Sequence, residues 1–368
     1  MTRVADVITR AIGAHAFPAC VIEVGRRESV VWSQAFGRLM FAPDAAATSS
    51  DTIFDLASLT KVIATTALVM RATDDGRLAL DDRVADRLPE WRGPDRARVT
   101  LADFLEHASG LTAYLPFFRD HQGRAEFERA ICTLPLEYAP RTRSIYSDLG
   151  FMLLAFMLED SYRTPFAALF DAFWVGLKPR APGLDPLPAV RSAEGQALRA
   201  DDLLLFNPPR ELHERCAPTE LDLWRGRLLQ GEVHDENTWA LGGAAGHAGL
   251  FGTAAAVGRF ARAMLRGLSG AETIARSDTI ERFVSKSDVP GSSRALGWDT
   301  MLPSSSCGTR LSARAIGHTG FTGTSLWLDP ARDLYVVLLT NRVHPTRENN
   351  QIQDVRRRVH DAVVTELE

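Results

Sequence analysis

Lysine is almost missing from this chain: of 42 lysine and arginine residues, only Lys61, Lys178 and Lys286 are lysines. Arginine does not give up its proton in proteins, so any chemistry that needs a basic side chain able to do so has very few residues to draw on. Paired cysteines are absent too. Cys20, Cys132, Cys216 and Cys307 are scattered with no C-x-x-C pair, which argues against a zinc knuckle or a disulfide framework and for buried free thiols. Such thiols fit a reducing cytoplasm. The longest apolar run, Phe151 to Leu158, is far below the roughly 20 residues that cross a bilayer, so no membrane segment is expected. With a net charge of −4 and no clustered arginine run, the chain lacks the electrostatic footprint of a nucleic-acid partner. Also missing are G-x-S-x-G, a P-loop, the G-x-G-x-x-G loop and H-E-x-x-H, so neither an organic cofactor nor a metal is expected.

What is present is the profile of a globular protein, with 45% hydrophobic residues over 368 positions. Val4, Val7, Ile8 and Ile12 recur at helical spacing between charges, which predicts a docking helix rather than a targeting segment and points to a cytoplasmic location. Cys20–Val24 and Ser29–Trp32 read as a hairpin, and a long helix is expected from about Leu56 to Asp75. Another helix opens at Val99, and helices with proline-punctuated loops dominate from about 80 to 240. Pro179, Pro182, Pro186 and Pro188 mark a surface loop between Lys178 and Pro188. Thr253 is expected to cap a helix over 254–265. Strands return at Leu296–Met301, at Ala315–Leu328 and at Leu334–Thr340, before a closing helix from about Gln351 to Leu367. The simplest topology is α/β (α+β). It has one antiparallel sheet, made of the N-terminal hairpin and three C-terminal strands, flanked by the terminal helices. Residues 1–80 and 240–368 would form this discontinuous sheet domain, with a mainly helical domain inserted over 81–239.

Ser58 and Lys61 are three positions apart, which on a helix puts both on one face. Two further elements follow in order, Tyr146-Ser-Asp148 and His318-Thr319-Gly320. Together the three resemble the signature of the serine β-lactamase and penicillin-binding-protein superfamily, in its class C-like branch of β-lactamases, D,D-peptidases and esterases. The stretch Leu101–Leu111 and the turn Gly249-Leu-Phe-Gly-Thr253 are similar to that branch as well, so the resemblance covers nearly the whole chain.

By that resemblance Ser58 is a nucleophile that forms an acyl-enzyme, with Lys61 or Tyr146 as the general base. The backbone N–H groups of Ser58 and Phe321 would form the oxyanion hole beside Thr319 and Gly320. Two departures matter. Asp148 stands where the family pattern has asparagine; a carboxylate there would keep Lys61 charged and shift the base role to Tyr146, unless Asp148 only caps the following helix. His318 replaces the commoner lysine, which leaves carboxylate recognition open; the alternative is an edge-strand histidine with no catalytic part.

The expected function is therefore a serine hydrolase acting on small-molecule esters or amides. The alternative is a D,D-carboxypeptidase or β-lactamase acting on peptidoglycan-like or β-lactam compounds, and a third reading is a non-catalytic binding protein of the same fold. His234, His247 and the segment around them are read as loop and packing residues, with a minor part in the cleft left open. His107 is read as a helix-terminus residue. The acid pairs Asp74-Asp75 and Asp201-Asp202 are read as solvated turns or caps.

Overall fold

The computed structural model describes residues 1–177 and 199–368; the proline-rich stretch Lys178–Pro188 lies outside them. A six-stranded antiparallel sheet carries the fold, in the order β2-β1-β11-β10-β9-β8. Its strands are β1 (Ala19–Gly25), β2 (Val30–Gly37), β8 (Asp299–Thr300), β9 (Ile316–Thr319), β10 (Ser325–Asp329) and β11 (Leu334–Thr340). The expected hairpin thus pairs with four C-terminal strands, not three. The stretch Ala315–Leu328 is two strands because Gly320–Thr324 forms a tight turn, closed by the N–H of Gly320 on the carbonyl of Thr324 at 2.7 Å.

Alternation along the strands sorts the core. Cys20, Ile22 and Val24 of β1 and Val336 and Leu338 of β11 face α1 (Thr2–Gly13) and α11 (Ile352–Leu367), where they bury Val4, Ile8, Val359 and Val363. Val21, Val337 and Leu339 face the opposite way, into the core shared with α2 (Ala67–Asp74) and α9 (Ala254–Gly267). Each fully buried Val, Leu or Ile contributes about 1.5–3 kcal/mol relative to exposure. Thr253 caps α9 as expected, its hydroxyl accepting the N–H of Ala256 at 3.2 Å.

The remaining helices are α3 (Val84–Arg87), α4 (Leu101–Leu105), α5 (Gly123–Thr133), α6 (Asp148–Tyr162), α7 (Phe166–Gly176), α8 (Glu236–Ala240) and α10 (Ser277–Val284). Small sheets join β3 (Phe54–Asp55), β7 (Leu250–Gly252) and β4 (Leu204–Phe206), and β5 (Leu221–Asp222) with β6 (Arg227–Leu228). Helix α6 is buried continuously from Leu149 to Leu158, which is why its sequence is apolar all round. No helix among the described residues is long and apolar enough to cross a membrane.

The acid pairs are less solvated than expected. Asp201 is fully buried, with Arg199 at 3.5 Å, and Asp74 accepts the N–H of Arg276 at 2.6 Å, tying α2 to the start of α10. All four cysteines are buried and free.

Candidate active site

The expected helix from Leu56 begins later. Ala57 and Ser58 form a turn, helix starts at Leu59, it is π-helical over Lys61–Thr66, and α2 follows from Ala67. Ala57 is left-handed, at φ 46°, an uncommon conformation for a residue with a side chain. Buried bonds hold it there. Asp55 accepts the N–H of Ala57 at 2.8 Å and that of His234 at 2.7 Å, and Thr60 donates its hydroxyl to the carbonyl of Ala57 at 2.6 Å. Ser58 projects from this strapped turn rather than from a helix face.

The β9–β10 turn is fastened to the same place. Thr322 donates to the carbonyl of Asp55 at 2.7 Å and Thr324 to that of Leu56 at 3.0 Å. A Cβ at Gly320 would stand 2.5 Å from the carbonyl oxygen of Leu56, so only glycine allows the end of β9 to lie this close to the Ser58 turn. Gly320 and Phe321 thus sit beside Ser58.

Lys61 is completely buried. Its ammonium donates to Ser58 Oγ at 2.9 Å, to Asp148 Oδ1 at 2.7 Å and to the carbonyl of His247 at 3.1 Å, so all three N–H groups have acceptors. Burial pulls its pKa down most strongly, but the charge of Asp148 and the nearby Tyr146 outweigh burial and leave it above the ordinary lysine value. Asp148 is the first residue of α6 and aims at Lys61; the preceding Ser147 is the N-cap position, and no side chain caps the helix. Tyr146 lies between two cations, with Lys61 Nζ 4.8 Å and the Arg294 guanidinium 5.1 Å from its ring centroid.

His318 is buried, and β9 is not an edge strand, because β8 pairs with it at Ile316 and Gly317. The edge-strand alternative is thereby corrected: the His318 ring stands 5.8 Å from that of Tyr146, inside the cleft. Burial, then the charges of Arg294 and Lys61, hold its pKa well below 6.5, so it is neutral at pH 7.

His107 was legible only as a helix terminus, and in the structure it also supports the site. It follows α4 in a left-handed conformation, and its Nδ1 accepts the N–H of Ser147 at 3.0 Å. Its ring lies 4.7 Å from Tyr146 and 5.1 Å from Phe151. A histidine two residues before Ser109-Gly110, closing a short helix, was the available signal. Burial, followed by Arg294 and Lys61, keeps it neutral as well, as its acceptor role requires.

A cleft of about 600 Å³ opens over Ser58, Tyr146, Asp148 and His318. Thr319, Gly320 and the half-exposed Phe321 form one wall. His234, Asp235 and His247 also line it, with the His234 ring stacked on Phe321 at 5.7 Å, and each is already bonded: His234 to Glu220 at 2.9 Å, and His247 to Asp235 at 2.9 Å. Among the described residues no three His, Cys, Asp or Glu side chains cluster to hold a metal ion.

The family description "Beta-lactamase" matches residues 4–360. The Bacillus subtilis (strain 168) protein named "N-acetylmuramyl-L-alanine amidase" is 29% identical over 373 residues, covering 94% of this chain and 81% of that protein. The Escherichia coli (strain K12) protein named "Putative D-alanyl-D-alanine carboxypeptidase" is 28% identical over 361 residues, covering 89% and 79%. A solved penicillin-binding protein homolog from Caulobacter crescentus shares the fold, with a TM-score of 0.74 at 18% identity over 99% of this chain and 96% of that one. Since the match runs almost from end to end and takes in all three motifs, the chain belongs to the beta-lactamase family of serine hydrolases.

Proposed function

We propose that this enzyme cleaves small ester or amide substrates through an acyl group carried on Ser58, with Tyr146 as the general base. The observation that carries this reading is the state of Lys61. With three acceptors on its three N–H groups and a carboxylate at 2.7 Å, it is an ammonium and has no lone pair with which to take a proton. Its work is electrostatic. Tyr146, as its phenolate between Lys61 and Arg294, takes the Ser58 proton as Oγ attacks the carbonyl carbon. The oxyanion is met by the N–H groups of Ser58 and Phe321. The scissile C–O or C–N bond then breaks, and Tyr146 returns the proton to the leaving group. Water attacks the acyl carbon and gives a proton to Tyr146, which passes it to Ser58 Oγ as the acyl–oxygen bond breaks, releasing the acid and restoring Ser58 and the base.

The second reading, a D,D-carboxypeptidase or related amidase, is favoured by the names of the two relatives. Both readings share the acyl-enzyme and differ in the substrate. The division into residues 1–80 with 240–368 and an inserted unit over 81–239 belongs to the same proposal: Ser58 and His318 would come from the first, and Tyr146, Asp148 and His234 from the second. Limited proteolysis that cuts first near 80 and 240 would support it, and early cuts elsewhere would oppose it. A cytoplasmic location is likewise proposed from the four buried free thiols, and fractionation of the native host tests it.

The main test is intact-protein mass spectrometry after exposure to a p-nitrophenyl ester, a penicillin and a fluorophosphonate, with Ser58→Ala in parallel. A Ser58-dependent adduct is expected, and the probe that labels best separates the two readings. Equal labelling of Ser58→Ala would overturn the assignment of the nucleophile.

A further inference from the structure

The two edges of the six-stranded sheet are finished differently. At one edge β8 is only two residues long and carries Asp299, and short, charged strands of this kind are how sheets blunt their edges. At the other edge β2 runs for eight residues, Val-Val-Trp-Ser-Gln-Ala-Phe-Gly, with no charge and no proline. Val30 and Val31 are each 44% exposed. Among the described residues β2 pairs only with β1, and the phase of that pairing fixes which backbone groups are left over. The N–H of Arg38 donates to the carbonyl of Pro18 at 3.0 Å. In steps of two from there, Phe36, Gln34 and Trp32 turn their N–H and C=O groups toward β1, while Val31, Ser33, Ala35 and Gly37 turn theirs outward. The Gly37 carbonyl accepts the N–H of Thr48 at 3.1 Å, where the chain folds back over the end of the strand. The outward groups of Val31, Ser33 and Ala35 have no partner among the described residues.

A second copy of the same strand supplies that partner, because an antiparallel pair about a two-fold axis is self-complementary. The free stretch from Val30 to Phe36 is centred on Ser33. With the axis there, Ser33 stands opposite the partner's Ser33 and Val31 opposite the partner's Ala35, so every outward group meets an outward group and each opposed pair exchanges two hydrogen bonds. Other registers fail. A slip of one residue sets outward groups against inward ones. A slip of two, in one direction, needs the Gly37 carbonyl that Thr48 already holds, and in the other needs Ser29, whose N–H and C=O are both spent on Arg26. The register centred on Ser33 also sets the exposed Glu28 opposite the partner's Arg38 at each end, an attractive pairing of charges.

We propose that two copies of this chain associate through β2, antiparallel about an axis at Ser33, and join their six-stranded sheets into one continuous sheet. The free stretch is much shorter than the roughly 20–30 residues that each side of a standard interface supplies, so the dimer is a weak one, with Kd of about 1–100 µM. In the strand order β2 lies four strands from β9, about 19 Å at the usual strand spacing. Pairing there leaves the cleft over Ser58 open, and it stands or falls independently of the acyl-transfer reading.

Sedimentation equilibrium of the whole protein from about 1 to 200 µM, a range that spans the expected Kd, should show the mass rising from one chain toward two. A single chain at every concentration would overturn the proposal. Val31→Lys/Ser33→Lys sets like charges against each other along the pairing line and should raise Kd about tenfold or more, with the far-ultraviolet circular dichroism unchanged. A dimer of wild-type Kd in this variant would mean that another surface joins the chains, and it too would overturn the proposal. Ser33→Cys reads the register without added charge. All four native thiols are buried, and opposed residues of a bonded pair have Cα atoms about 5.5 Å apart, so a short bismaleimide should link two copies of this variant. Ser29→Cys is the control, because its two copies stand about 26 Å apart along the paired strands. Linking confined to Ser33→Cys is the expected result, and equal linking of both variants, or of neither, would refute the pairing.

Discussion

Asp148→Asn removes one charge from the Lys61 site while keeping an oxygen that can accept an ammonium N–H. At 2.7 Å, two unit charges attract by about 6 kcal/mol at an effective dielectric near 20. Desolvation and the retained hydrogen bond reduce this, so the expected loss of stability at neutral pH is about 3 kcal/mol, at the low end for an uncompensated buried charge. The pH dependence is more telling than the size. In wild type the folded pKa of Lys61 lies above its ordinary value of 10.5, so its stabilisation is complete below that value and is lost as pH rises through the folded one. In the variant the charge of Asp148 is gone and burial dominates, so the folded value drops below the ordinary one. Between the two values the unfolded chain binds more protons than the folded chain, and the variant gains stability as pH rises. The gap between the two proteins should be widest near neutrality and narrow toward pH 10. Urea unfolding followed by tryptophan fluorescence at several pH values measures it. A gap that stays constant with pH, or no loss at all, would refute a charged Lys61 held by Asp148.

Tyr146→Phe should lower kcat by about 10²- to 10⁴-fold, the usual contribution of a general base, with little change in melting temperature; retained activity would return the base role to Lys61. Gly320→Ala puts a methyl group 2.1 Å from Thr324 Oγ1 and 2.5 Å from the carbonyl oxygen of Leu56, so a stability loss of about 1–3 kcal/mol is expected from overpacking, together with a fall in kcat. Thermal unfolding and ester kinetics check both, and an alanine variant of normal rate would mean that the end of β9 does not bear on Ser58. His107 and His318 have folded pKa values below the ordinary 6.5, so the stability they contribute is present above pH 6.5 and declines as pH falls toward the folded values. The slope should reach about 1.4 kcal/mol per pH unit for each histidine. His318→Asn should flatten it in urea titrations between pH 7 and 5, and an unaltered slope would show that folding does not lower the His318 pKa.

Period and punctuation in the sequence determined the local elements. The β-rich runs Cys20–Val24 and Leu334–Thr340, the helical spacing of Val4, Ile8 and Ile12, and the cap at Thr253 are read from neighbours along the chain, and they recur in the sheet, in α1 and in α9. The family was legible because Ser58-x-x-Lys61, Tyr146-x-Asp148 and His318-Thr319-Gly320 each survive as a few adjacent letters in the right order. What depended on distant partners was not legible. The turn at Ala57–Ser58 that precedes the helix is held by Asp55, which also bonds His234, 179 positions away. The division of Ala315–Leu328 into two strands follows from a turn strapped to the residues before Ser58. Burial of Asp201 and neutrality of His318 depend on what packs around them, which no local window contains. The same holds for Lys61. Its charge state is decided by a contest between burial and a carboxylate 87 positions away, and only the tertiary structure sets the terms of that contest.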